Sequence, residues 1–124
     1  MSSRTKTDEL LALLKSIDGI GGIKGSAIVA RNGLLIASML PRDIDERRFG
    51  AMSATMMGAI ETAAATMSGG LLKRVTAELE NTTVITIGAG KKAILVTSVD
   101  LNSNLGLVLI EIEEIASKIK AIVD

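Results

Sequence analysis

The chain has 124 residues, 48% of them apolar, so it can enclose one proper core, and its 14 basic and 14 acidic side chains cancel. That balance lacks the basic footprint that holds DNA or RNA, and the lone aromatic, Phe49, leaves base stacking unsupported. Cysteine and histidine are both absent, which removes disulfides, thiolate nucleophiles, imidazole bases and nearly every zinc geometry.

Residues 1–8 are polar and show no apolar signal-peptide segment, so a soluble cytoplasmic domain is expected. Over residues 8–17, Leu10, Leu13, Leu14 and Ile17 recur at helical spacing, with Thr7 or Thr5 as cap and acids in the first turn. The glycines around Ile20 stop that helix. Residues 26–30 and 34–39 then predict two strands flanking Arg31-Asn32-Gly33, a strong hairpin signal in which both central residues tolerate positive φ. Pro41 closes this unit.

A long helix is predicted over residues 44–67, stopped by Gly69-Gly70. The stretch 49–72 carries only Glu61 as a charge, but its Gly, Ser, Thr and Ala content speaks against a membrane span. Three strands follow as a meander, over 72–79, 83–87 and 92–98. Ala93-Ile94-Leu95-Val96 is apolar on both faces, which predicts a central strand. The 72–79 strand alternates instead. Val75, Ala77 and Leu79 lie on one face and Arg74, Thr76, Glu78 and Glu80 on the other, as suits a sheet edge. Val108, Ile112, Ile115, Ile119 and Ile122 form the stripe of a last helix, capped by Asn102 or Asn104, with Glu114 and Lys118 as an i,i+4 pair.

Two glycine-rich stretches fail as nucleotide cradles. Gly19-Ile20-Gly21-Gly22-Ile23-Lys24-Gly25 puts Lys24 where a dinucleotide fingerprint needs its third glycine, and it precedes a strand. Gly88-Ala89-Gly90-Lys91-Lys92 has Ile85 at the first Walker glycine, and a strand follows it. Both read as turns. No base or nucleophile constellation can be assembled, so no catalytic, metal or cofactor residues are assigned and the chain reads as a protein-binding module, not an enzyme.

The middle helix divides into three strips at a hundred degrees per residue. Phe49, Met52, Met56, Ile60, Ala63 and Met67 form a bulky strip, expected to pack on the sheet. Ala51, Ala54, Thr55, Gly58, Thr62 and Ala65 form a uniformly small one. Small side chains admit a second backbone, so this strip is expected to meet its own copy across a two-fold axis. Arg74, Thr76 and Glu78 of the edge strand are expected to join that dimer interface by strand pairing. Gly50, Ser53, Met57, Glu61 and Ala64 form the strip between, expected to be exposed and to meet a partner protein. Arg47, Arg48 and Arg74 are read as solvating a helix start and a strand edge, not as arginine fingers.

The order α-β-β-α-β-β-β-α, with Gly25-Ser26-Ala27-Ile28-Val29-Ala30-Arg31-Asn32-Gly33-Leu34-Leu35-Ile36-Ala37-Ser38 as first hairpin, resembles the Roadblock family of dynein light chains and MglB-like regulators. The small-residue-rich helix, Lys92 with Ala93-Ile94-Leu95-Val96, and Asn104-Leu105-Gly106-Leu107-Val108 extend the resemblance over nearly the whole chain. It implies one α/β (α+β) Roadblock/profilin-like domain, a five-stranded antiparallel sheet with one helix on one face and two on the other. It also implies a homodimer that regulates or scaffolds a Ras-like small GTPase, with no nucleic acid, membrane insertion or cofactor. The alternatives are a structural light-chain-like subunit without effect on nucleotide turnover, or a small-ligand sensor. The lack of Trp, Tyr, His and Cys argues against the polar anchors a sensor pocket needs.

Overall fold

Thr5 starts the first helix by a reciprocal cap: its hydroxyl accepts from the Asp8 N–H at 3.1 Å, and the Asp8 carboxylate accepts from the Thr5 N–H at 3.3 Å. The structure, a computed structural model, describes residues 5–124; the first four residues of the polar opening segment lie outside the described residues. The elements are α1 (Lys6–Asp18), β1 (Ile23–Ala30), β2 (Leu35–Met39), α2 (Glu46–Ala64), β3 (Arg74–Glu78), β4 (Thr82–Ala89), β5 (Ala93–Asp100) and α3 (Leu105–Val123). Asn104 is the cap of α3, accepting from the Leu107 N–H at 3.2 Å.

The five strands form one antiparallel sheet in the order β2-β1-β5-β4-β3. The doubly apolar β5 is central and the alternating β3 is an edge, as their patterns predict. Leu10, Leu14 and Ile17 of α1 and Val108, Ile112, Ile115 and Ile119 of α3 pack with Ile28, Ile85 and Leu95 on one face of the sheet. On the other face α2 is alone, packed on Ala27, Val29, Ile94 and Val96.

Several boundaries differ from expectation. β1 begins at Ile23, earlier than residue 26, because its first residues still pair with Val99 and Ser98 of β5. β3 spans only Arg74–Glu78, since Gly70 takes a positive φ of 88° and the chain joins the ladder only from Arg74. In the first hairpin only Gly33 adopts positive φ, at 95°. Asn32 instead accepts the Leu34 N–H on its side-chain oxygen at 3.2 Å, giving a three-residue loop closed by the Ala30 N–H on the Leu34 carbonyl at 2.8 Å. α2 is shorter than residues 44–67 at both ends. Asp45 caps its start, accepting from the Arg48 N–H at 3.2 Å, and past Ala64 the hydrogen bonds tighten to i→i−3 at Thr66 and Met67.

A glycine sets how closely α2 approaches the sheet. A Cβ at Gly50 would lie 3.3 Å from Val29 Cγ2 and 3.6 Å from Leu35 Cδ1. Gly50→Leu is therefore expected to lift α2 and lower stability by about 1–3 kcal/mol, read as a reduced midpoint in urea unfolding.

Candidate protein-binding surface

The residues of α2 turned to the sheet are Gly50, Ser53, Ala54 and Met57, with Glu61 and Ala64 half-buried behind them. This corrects the expected roll of the helix. Gly50, Ser53 and Met57, assigned to a partner-facing strip, are core: Met57 is only 1% exposed. The bulky strip assigned to the core is largely outside it, with Met52 58% exposed and Ile60 also exposed. Small residues do let the helix sit close here, but what Gly50 meets is the Val29 and Leu35 side chains of the sheet. Only then can the long Met57 side chain reach Ile94 and Val96.

Glu61 and Ala64 also leave the partner-facing set. Arg31, in the first hairpin turn, donates from Nη1 to both Glu61 oxygens at 2.8 and 2.7 Å, and from Nη2 to the Gly90 carbonyl at 3.0 Å. The guanidinium lies over Gly88, where a Cβ would come within 3.0 Å of Nη2. One side chain thus ties α2 to two turns, the first hairpin and β4–β5. Ala64 lines a small cleft of about 120 Å³ with Glu61, Gly70 and Leu72.

The six small residues also divide. Ala54 is buried on the sheet, and Ala51 sits over Gly33, whose own Cβ would meet it at 3.5–3.8 Å. Thr55, Gly58, Thr62 and Ala65 are exposed. The Thr55 and Thr62 hydroxyls donate back to the Ala51 and Gly58 carbonyls, and nothing lies within 4 Å of a Cβ at Gly58.

Because α2 lies over β1 and β2, it leaves the β4–β3 half of that sheet face open. Between them runs a groove of about 390 Å³, lined by Phe49, Met52 and Met56 from the helix and Ala77 and Val84 from the sheet. Asp45 and Arg48 stand at one end. The size pattern of the helix assigns this bulky strip to the core, which hides the groove. Its signal was present in the 72–79 alternation, which puts Val75 and Ala77 on the α2 side next to unfilled space.

Beside the groove β3 is an open edge. Its Leu79 N–H donates to the Thr82 carbonyl at 2.8 Å, so by ladder alternation Val75 and Ala77 also bond β4. Arg74, Thr76 and Glu78 turn their backbone groups outward. Their side chains lie on the α3 side of the sheet, where Arg74 pairs with Glu113 at 2.8 Å. The two glycine-rich stretches join α1 to β1 and β4 to β5, and neither opens a helix. Among the described residues no three acidic side chains converge as metal ligands, and no helix is long and apolar enough to cross a membrane.

Burial of Met57 has a testable cost. Met57→Glu is expected to lower stability by about 4 kcal/mol or more, an unpaired carboxylate in an apolar site, visible as loss of cooperative thermal unfolding.

The family model described as "Roadblock/LC7 domain" matches residues 7–98. The Methanocaldococcus jannaschii proteins MJ0310 and MJ1340 are each 39% identical over 109 residues, covering 88% of this chain and 95% of theirs. Among solved structures, Myxococcus xanthus MglB superposes with a TM-score of 0.89 at 20% identity, covering 98% of this chain and 92% of that one. Acanthamoeba castellanii profilin II follows at 0.66 and 19%, covering 89% and 95%. At these identities the structural likeness is one of fold.

Proposed function

The chain belongs to the Roadblock/LC7 domain family, and from that premise we propose that it is a non-catalytic homodimeric module that regulates or scaffolds a Ras-like small GTPase. The observation that carries the dimer is the groove between α2 and β3. Exposed Met52 and half-buried Phe49 and Met56 line it with Ala77 and Val84 of the sheet, exposed Ile60 follows on the same helix, and the open edge of β3 leaves unpaired strand groups at its side. A second copy supplies both missing parts at once: an α2 for the groove and a β3 for the edge. The partner GTPase then meets the outward faces of the paired helices, through the exposed small residues Thr55, Gly58 and Thr62. The GTPase class itself rests on family membership and on the likeness in fold to MglB.

Two substitutions separate the flanks of α2. Met52→Glu puts a charge in the groove at an exposed position, so the fold is retained while dimer affinity falls at least about tenfold. Gly58→Leu adds bulk in open space and is expected to leave the dimer intact. Sedimentation velocity at micromolar concentration reads both. Dissociation by Gly58→Leu but not by Met52→Glu would move the dimer to the small flank, and a monomeric parent would reject it.

The GTPase reading is tested by titrating candidate Ras-like GTPases, loaded with GDP or a non-hydrolysable GTP analogue, into the parent and Gly58→Leu proteins. Tighter binding in one nucleotide state is expected, because the switch loops order around the γ-phosphate, with affinity reduced at least about tenfold by Gly58→Leu. Equal affinity in both states rejects regulation through the switches. State-dependent binding without change in turnover would favour the scaffold reading.

A further inference from the structure

We propose that Arg74 and Glu78 set the register in which two copies join, with the two-fold axis passing through Thr76 and each Arg74 lying opposite the partner's Glu78. The inference rests on the dimer reading above and specifies its geometry. A two-fold axis perpendicular to the sheet keeps each face on its own side, so residues opposite one another across the joint must have the same facing. With Arg74, Thr76 and Glu78 turned outward, five axis positions bring β3 against its copy. An axis at Arg74 or at Glu78 sets like charges opposite each other. An axis at Val75 leaves Arg74 opposite Thr76, and Glu78 opposite Leu72, which precedes the strand. An axis at Ala77 sends Arg74 to Glu80, beyond the strand's end at Glu78.

The Thr76 axis alone uses all five residues of β3 in the joint and satisfies all three outward pairs. Two Thr76 residues exchange both backbone hydrogen bonds, and the Arg74–Glu78 pair occurs twice by symmetry. On the opposite face Val75 meets the partner's Ala77 beneath the grooves. The charges are prepared for this arrangement within one subunit. Arg74 is held by Glu113 through Nη1 at 2.8 Å, which leaves the rest of its fork free. Glu78 is exposed and has no ion-pair partner among the described residues. Arg-Val-Thr-Ala-Glu is therefore an edge complementary to itself in one register, and it discriminates against edges of other charge order.

The chain contains no cysteine, so single cysteines report the register cleanly. Residues opposite in a hydrogen-bonded pair have Cα atoms about 5.5 Å apart, within disulfide reach. Under mild oxidation Thr76→Cys is expected to crosslink as a homodimer, whereas Val75→Cys and Ala77→Cys crosslink only when mixed with each other. As a second reading, Arg74→Glu or Glu78→Arg alone is expected to raise the dimer Kd about tenfold or more, since each creates two like-charge pairs. An equimolar mixture of the two variants, each confirmed folded by circular dichroism, should recover dimer as the heterodimer. Homodimer crosslinking at Val75→Cys or Ala77→Cys instead, or a dimer indifferent to both charge reversals, overturns the register while leaving the dimer standing. A parent protein that sediments as a monomer overturns the dimer and the register together.

Discussion

The distance between α2 and the sheet governs what the rest of the molecule can present. With Gly50, Ser53 and Ala54 against the sheet, the helix axis comes close to β1, and Met57 fills the core beneath it. That close seat lies to one side of the sheet. A bulkier contact strip would hold the helix higher above the sheet. As built, the β4–β3 half of the face keeps its apolar side chains without a cover belonging to the same chain. The two faces of the sheet are thus unequal. One has two helices, α1 and α3, sealing Ile85, Leu95 and Ile112 completely, and the other has one helix and an open trough.

Much of this was legible in the residues. Strand alternation identified β3 as an edge, and the doubly apolar run of Ala93 to Val96 identified β5 as the centre, because burial on both faces leaves no place for polar side chains. The stripe from Val108 to Ile119 fixed the facing of α3, since a strongly apolar helix has one way to sit. The roll of α2 was not legible. Its bulky and small strips differ in size more than in polarity, and the usual rule sends the bulky strip inward. Two non-local contacts decide otherwise: Val29 against Gly50, and Arg31 with Glu61. The first joins residues from separate elements and the second a hairpin turn to a helix, and neither leaves a local pattern. The Asn-Gly turn erred for a smaller reason. Asn32 uses its side chain where its backbone was expected to turn left-handed.

Charge is spent sparingly on this surface. The groove itself is apolar, and the ion pairs lie around it: Arg31 with Glu61 behind α2, and Arg74 with Glu113 across the back of β3. The exposed Arg74–Glu113 pair contributes little to stability, typically about 0–1 kcal/mol. The effect of both pairs is geometric. Arg31 fixes the roll of α2 relative to two turns of the sheet, and Glu113 holds Arg74 at the strand edge. Both constraints fix the shape of the surface without adding polar chemistry to the groove.

The strand order also bears on how the chain reaches this state. β1 has β5 as its inner neighbour, pairing Ala30 with Ala93 and Ile23 with Val99. The first hairpin therefore waits, with one edge unpaired, until almost the whole chain has been synthesised. Joining strands so distant in sequence closes a long loop before any contact across it is rewarded, which slows folding relative to a helical bundle of equal size. During that interval the apolar edge of β1, Ala27-Ile28-Val29, is the segment most open to pairing with the wrong chain. The three-residue loop at Gly33 keeps β2 on its other side throughout, so only one of the two edges of β1 is open while it waits.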